Sequence, residues 1–135
     1  MKNKSLYIAP LQRSAGSIVV TMGIMQLLRS QVARIAFFRP VIESSETIDS
    51  DIELILTHYA LDISYDDCFG YTLDEAEKLV AEGQFDLVLE TLVEQFTDLA
   101  HSYDFVLVQG LSVTSFSSSL DFNLNLEVAK NFGAP

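Results

Sequence analysis

The feature that most constrains this fold is a strand, a glycine-containing loop, a helix and a second strand near the start of the chain. A short buried strand is predicted at Ser5–Ala9, and apolar side chains recur at helical spacing through Ser14–Ser30. The next run, Val32–Phe38, is apolar on both faces, which is typical of a parallel strand covered by helices. Together these elements predict one right-handed βαβ unit.

The loop before the first helix has the layout of a phosphate-binding loop without its chemistry. Such loops read G-x-x-x-x-G-K-[ST]. Here Leu11 stands at the first glycine, whereas Gly16 is kept. Ser17 stands at the lysine, and Ile18 stands at the hydroxyl that binds magnesium. The N–H groups at a helix N-terminus still favour an anion without the lysine, so an anion site remains a hypothesis for this loop.

Charge is distributed unevenly along the chain. Residues 1–42 contain six Lys or Arg and no acid, whereas residues 43–104 contain 17 Asp or Glu and only Lys78. The formal net charge is −11, which argues against nucleic acid as a partner, since phosphate backbones are bound through Lys and Arg. The cations near the loop fit an anion site. Solvated acidic helices beside a strand-rich N-terminal half explain the same pattern, and we slightly favour that interpretation.

Length and composition predict a single folded domain over residues 1–135, since 49% of the residues are hydrophobic. No apolar run is long enough to cross a bilayer, and the N-terminus has no secretion signal, so no membrane partner is expected. The single Cys68 cannot form an internal disulfide, which predicts a cytoplasmic protein. A partly buried thiol after an acidic pair is the favoured interpretation of Cys68, and a reactive role is the alternative.

The rest of the chain predicts four helices and one more strand. Pro40 is expected to end the second strand, and capping boxes at Ser50-x-x-Glu53 and Thr72-x-x-Glu75 predict two helix starts. The segment Leu61–Phe69 is ambiguous, and Leu111–Ser119 is predicted as a loop. The predicted helices are Ser50–Tyr59, Thr72–Gly83, Gln84–Tyr103 and Asn123–Phe132, and the strand is Phe105–Val108. This order predicts a three-layer α/β domain.

The chain ends directly after the last predicted helix, where a doubly wound fold would continue with a strand. We therefore expect a domain cut short at its C-terminus. An uncovered sheet edge favours pairing with another chain, so self-association is expected.

Six runs, in order along the chain, carry a resemblance to a known family. They are Tyr7–Pro10 with Ser14–Gly16, Phe38–Ile42, Asp51–Ile55, Gly70–Glu75, Tyr103–Gly110 and Leu124–Pro135. The chain resembles the N-terminal domain of long-form bacterial phosphate acetyltransferases. That domain is related to dethiobiotin synthetase and cobyrinic acid a,c-diamide synthase. The resemblance implies a P-loop NTPase-like fold of the dethiobiotin synthetase type, with a mostly parallel sheet.

The resemblance also implies where ATP-using relatives keep four groups. These are a loop lysine, a magnesium-binding threonine, a lysine before proline at the end of the second strand, and an acid after the third strand. The corresponding positions in this chain are Ser17, Ile18, Arg39 and Gln109. An upstream metal-binding aspartate corresponds to Asp49 or Asp51, and the loop length leaves both open.

Three of these four positions lack the chemistry of magnesium-dependent ATP hydrolysis. Ser17 carries no charge, Ile18 has no oxygen ligand, and Gln109 cannot be anionic. Arg39 keeps a charge and a planar fork suited to a carboxylate or phosphate. No catalytic residue, no metal and no cofactor is therefore predicted. The candidate anion site consists of Gln12, Arg13, Ser14, Gly16, Ser17, Arg39 and Gln109.

The function that the resemblance implies is that of a non-catalytic accessory or regulatory domain. It would act in oligomer assembly and in sensing a small anionic metabolite, with a homo-oligomer as the expected state. Acetyl transfer between coenzyme A and phosphate would belong to a separate catalytic C-terminal domain, its partner. Two alternatives stay open: an ATP-dependent carboligase resembling dethiobiotin synthetase, and a stand-alone small-anion sensor that uses Arg39 and Gln12-Arg13.

Overall fold

The computed structural model describes residues 5–8, 15–44, 46–110, 130 and 132. Its strands are β1 (Ser5–Ile8), β2 (Ile35–Ile42), β3 (Phe69–Thr72) and β4 (Phe105–Gln109). Its helices are α1 (Ala15–Arg29), α2 (Ser50–Tyr59), α3 (Leu73–Ala81) and α4 (Phe85–Ser102). A short 3-10 turn at Tyr65–Cys68 leads into β3.

The described strands form one parallel sheet in the order β1-β4-β2-β3. Right-handed crossovers place α1 and α2 on one face, because the chain moves in one direction across the sheet from β1 to β3. It then returns from β3 to β4, which places α3 and α4 on the other face. The Tyr59 hydroxyl donates to the Met22 carbonyl at 2.8 Å and joins α2 to α1. The predicted three-layer α/β fold is confirmed.

The core lies along β2 and β4, the two inner strands. Every residue of both strands is buried, as their continuous apolar runs predicted. On one face of the sheet, α4 packs its buried apolar side chains, including Phe96, against the strands. Phe132 stacks on Phe96 with ring centroids 4.3 Å apart, so a residue near the C-terminus packs into the same core.

The prediction that Pro40 ends the second strand is wrong, since β2 continues to Ile42. Residues 35–38 of β2 pair with β4, whereas Arg39 and the residues after Pro40 pair with β3. Neither register contains a pair for Pro40. The proline therefore lies where the strand changes partners, a position that tolerates its missing N–H.

The sequence interpretation also missed β3. Four residues follow the 3-10 turn and pair with the distal half of β2, with Tyr71 opposite Val41. Gly70 lies at the centre of β3, where the packing against α4 is close. This strand explains how the ambiguous segment Leu61–Phe69 joins the sheet.

The two predicted capping boxes have different outcomes. The first is wrong by one residue, because Asp49 rather than Ser50 is the N-cap of α2. Its Oδ1 accepts a hydrogen bond from the Ile52 N–H at 3.0 Å. The second box is confirmed, with reciprocal bonds between Thr72 and Glu75 at the start of α3.

Several predictions lie outside the described residues. These are the N-cap at Ser14, the loop Leu111–Ser119 and most of the helix Asn123–Phe132, of which Lys130 and Phe132 are described as helical. In the described part of the chain, no helix has the length and apolarity needed to cross a bilayer.

We expect Gly70→Ala and Gly23→Ala to change stability in opposite directions. A Cβ at Gly70 would collide with the Leu92 side chain and lie 2.9 Å from the Pro40 carbonyl oxygen. Overpacking of this kind costs about 1–3 kcal/mol. A Cβ at Gly23, inside α1, meets nothing within 4 Å. That change should stabilise the fold by about 0.5–1 kcal/mol, since glycine disfavours helix interiors.

Denaturant unfolding at low protein concentration measures both variants against the wild type. A Gly70→Ala variant as stable as the wild type would show that α4 does not approach β3 as closely as described.

Candidate functional site

Four polar side chains meet at the carboxyl edge of the sheet, the edge where α/β folds place their ligand sites. Gln109 is the last residue of β4, and Arg39 lies in the distal half of β2. Asp49 and Asp51 lie at the start of α2, which follows β2. The parallel arrangement of β2 and β4 therefore brings together residues far apart in the sequence.

Arg39 is buried and paired with acidic side chains. Its Nη1 donates to Asp49 Oδ2 at 2.7 Å and lies 3.8 Å from Asp51 Oδ2. The other oxygen of Asp49 caps α2, and the Asp49 N–H donates to the Tyr65 hydroxyl at 2.7 Å. Asp49 thus neutralises the guanidinium and fixes the start of α2 at once.

Gln109 is 1% exposed and uses both ends of its amide. Its Nε2 donates to Asp51 Oδ2 at 2.8 Å, and its Oε1 accepts from the Thr21 hydroxyl at 2.6 Å. Thr21 is fully buried on the inner face of α1. A glutamate here would offer only acceptors when ionised, so it would face the Asp51 carboxylate without a proton to share.

These contacts form one continuous polar network, made of Thr21, Gln109, Asp51, Arg39 and Asp49. It links α1, β4, α2 and β2 at the carboxyl edge. Hydrogen bonds in such surroundings are strong because the effective dielectric constant is low, and a missing partner is correspondingly costly. We infer that the network stabilises this edge of the sheet.

The polar network does not fit the magnesium ion that the ATP-using relatives imply. Magnesium needs several oxygen ligands in near-octahedral geometry. Here the Asp51 carboxylate is bound by an amide, and the Asp49 carboxylate is bound by a guanidinium that repels cations. No group of three or more His, Cys, Asp or Glu suited to a metal occurs among the described residues.

The structure brings two of the seven predicted anion-site residues together, Arg39 and Gln109. Gly16 and Ser17 fall in the first turn of α1. The other three, Gln12, Arg13 and Ser14, lie outside the described residues. Asp49 and Asp51, the two positions left open for an upstream metal-binding aspartate, both join the network.

Sequence reasoning missed Thr21 and Tyr65 at this site. A hydroxyl on the buried face of a helix was the available signal for Thr21, but its partner Gln109 is 88 positions away. Tyr65 lies in the segment that had no assignment.

Cys68 is buried, and its thiol donates to the Ser64 carbonyl at 3.4 Å. Burial, followed by the charge of Asp67, raises the pKa of the Cys68 thiol to about 12. The thiol therefore stays protonated at neutral pH, which suits a packing role and not a nucleophile.

Known proteins resemble this chain over its whole length. A family model described as an AAA domain, AAA_26, matches residues 4–135. A phosphate acetyltransferase of Nitratidesulfovibrio vulgaris is 38% identical over 135 residues, which cover 98% of this chain and 19% of that protein. A phosphate acetyltransferase of Synechocystis sp. is 33% identical over 133 residues, covering 97% of this chain and 19% of its own length. The chain thus spans about a fifth of the length of these relatives.

We expect Gln109→Glu to destabilise the fold and Asp51→Asn to rescue it. The single change sets two carboxylates against each other in a part-buried contact, at a cost of about 1–3 kcal/mol. In the double variant, the new amide at position 51 donates to the new carboxylate at position 109, so the bond is restored with the roles reversed. Urea unfolding of the two single variants and the double variant measures the coupling. Additive effects would contradict the hydrogen bond between Gln109 and Asp51.

Proposed function

We propose a function from the premise that this chain belongs to the AAA_26 family of AAA domains. The resemblance to the N-terminal domain of phosphate acetyltransferases is confirmed by relatives of that name, which match nearly all of this chain. The proposed role is that of a non-catalytic accessory domain of a phosphate acetyltransferase-like protein. It acts in oligomer assembly and carries a metabolite-sensing role.

The observation that carries this proposal is the closed polar network. Its two carboxylates, Asp49 and Asp51, stand at the two positions that the resemblance leaves open for the metal-binding aspartate of an ATP-using relative. Both are satisfied by protein donors, from Arg39 and Gln109. Phosphoryl transfer depends on positioned phosphates and on neutralised charge. Within the described residues, the Arg39 guanidinium is paired with Asp49, and the Asp51 carboxylate accepts from Gln109.

The alternative of an ATP-dependent carboligase is disfavoured by the same geometry. Such an enzyme needs a cation beside the nucleotide phosphates, and the loop supplies Ser17 and Ile18 where lysine and threonine would stand. A metal at Asp51 Oδ2 would compete with the part-buried hydrogen bond from Gln109. That competition opposes metal binding.

One observation supports the sensing of a small anion. Arg39 Nε is buried and has no hydrogen-bond partner in the described part of the chain. A buried donor without an acceptor costs free energy, and an anionic oxygen would relieve that cost. The nearby carboxylates of Asp49 and Asp51 oppose an anion, so we expect weak and selective binding.

The partners follow from the same proposal. Acetyl transfer belongs to the catalytic domain of the longer protein, and this chain contacts copies of itself. The free thiol of Cys68 supports a cytoplasmic location. The negative net charge disfavours nucleic acid.

We expect isothermal calorimetry to detect no binding of ATP or ADP at ~1 mM, with or without magnesium, since the polar network offers no metal site. The chain should also form no acetyl phosphate from acetyl-coenzyme A and phosphate. Inorganic phosphate, titrated separately, probes the Arg39 region. Micromolar, magnesium-dependent nucleotide binding would overturn the accessory role.

Gly16→Asp is the matched control for that measurement. It places a carboxylate in the first turn of α1, where it repels any phosphate bound at the helix N-terminus. A heat of binding that survives this change arises elsewhere on the protein.

A further inference from the structure

The outer face of α1 carries an exposed apolar stripe, which we define as Val19, Val20, Gly23 and Leu27. Val19 and Leu27 are each 66% exposed, and Val20 is 54% exposed. Their spacing of three, four and seven residues places them on one side of the helix. The opposite side buries Thr21 and Met25. Apolar side chains on two opposite sides of a helix are typical of one that is covered on both sides.

Charge distinguishes this face from the other helices. Among the described helices, α1 alone contains no Asp or Glu. Its one charged residue, Arg29, donates Nη1 to the Tyr59 carbonyl of α2 at 2.7 Å. The chain as a whole carries a net charge of −11, so two copies repel each other through their acidic surfaces. The apolar stripe is therefore where a second copy meets the least repulsion.

Gly23 lies at the centre of the apolar stripe. A Cβ at Gly23 would meet nothing within 4 Å, so the described chain offers no packing reason for a glycine. Val19 and Leu27 lie one turn to either side. An antiparallel pair of α1 helices crossing at Gly23 places each Val19 opposite the partner's Leu27. Without side chains at the crossing point, the two helices can approach closely.

We propose that the apolar stripe is a two-fold dimer interface between two copies of this chain, with α1 packed against α1 around Gly23. The proposal deepens the assembly role and rests on it. In a two-fold interface the same patch of both copies packs together. Here Val19 at one end of the apolar stripe meets the partner's Leu27 at the other end, and both side chains are branched and apolar. One helix pair buries less than the ~800 Å² per partner of a standard interface, so the dimer is weak.

Sedimentation equilibrium from ~5 to ~500 µM tests the interface, a range suited to the weak dimer expected of so small a contact. The wild type should show a monomer–dimer equilibrium within this range. Val19→Asp with Leu27→Asp should give a monomer throughout, since the new carboxylates of one copy would face those of the other on both sides of the crossing. The matched control is Leu54→Asp with Leu87→Asp, which adds the same charge at exposed leucines of α2 and α4. The control should keep a dissociation constant within about threefold of the wild type, because its charges lie away from the crossing.

A cysteine placed at the crossing point tests the two-fold axis directly. Gly23→Cys should form a disulfide-linked dimer under mild oxidation, because the two residues face each other. Leu87→Cys, an exposed position on α4, should not. The native Cys68 is buried and does not interfere. A Gly23→Cys variant that crosslinks no faster than Leu87→Cys would overturn the antiparallel arrangement.

The outcomes separate this interface from the broader proposal. A wild type that stays monomeric at the highest concentration overturns both the interface and the assembly role. A dimer whose dissociation constant is unchanged by Val19→Asp with Leu27→Asp overturns the interface alone. Pairing through the outer edge of β1 would give that second result, and the assembly role would then stand.

Discussion

The hydrogen bond from the Gln109 amide to the Asp51 carboxylate joins the centre of the sheet to the start of α2. The same amide accepts from Thr21, so α1 is held in place by the other end of one side chain. Arg39 pairs with Asp49 and lies 3.8 Å from Asp51, and Asp49 caps α2. Three elements, α1, α2 and β4, therefore meet at one amide that is a donor at one end and an acceptor at the other.

This dependence explains how two acids are kept at a site without a metal. Two carboxylates near each other repel unless a cation or donors lie between them. Arg39 supplies the positive charge, and Gln109 supplies the neutral donor. The loop before α1 agrees with this arrangement. Ser17 and Ile18 stand there at the positions where ATP-using relatives have the lysine and threonine that act together with a metal ion. The paired donors and acceptors thus fix the carboxyl edge of the sheet.

Sequence patterns predicted the elements whose signal is long and local. The apolar runs of β2 and β4 and the stripe of α4 were found because their burial repeats over many residues. The β3 strand was missed because four residues between an acidic turn and a helix carry no period of their own. The predicted strand end at Pro40 was wrong because a missing N–H matters only where a partner strand needs that donor. At Pro40, β2 changes partners from β4 to β3. At the site, the resemblance pointed to Arg39 and Gln109, but Thr21 needed the fold to bring positions 21 and 109 together.

The two proposed roles depend on the same helix. On its inner face, Thr21 ties α1 to the polar network, and on its outer face Val19, Val20, Gly23 and Leu27 form the apolar stripe. The first turn of α1 also contains Gly16 and Ser17 of the candidate anion site. A helix is a rigid element, so a shift imposed at its first turn reaches Gly23 about two turns later. Any such shift of α1 against β4 would have to break or stretch the hydrogen bond between Thr21 and Gln109.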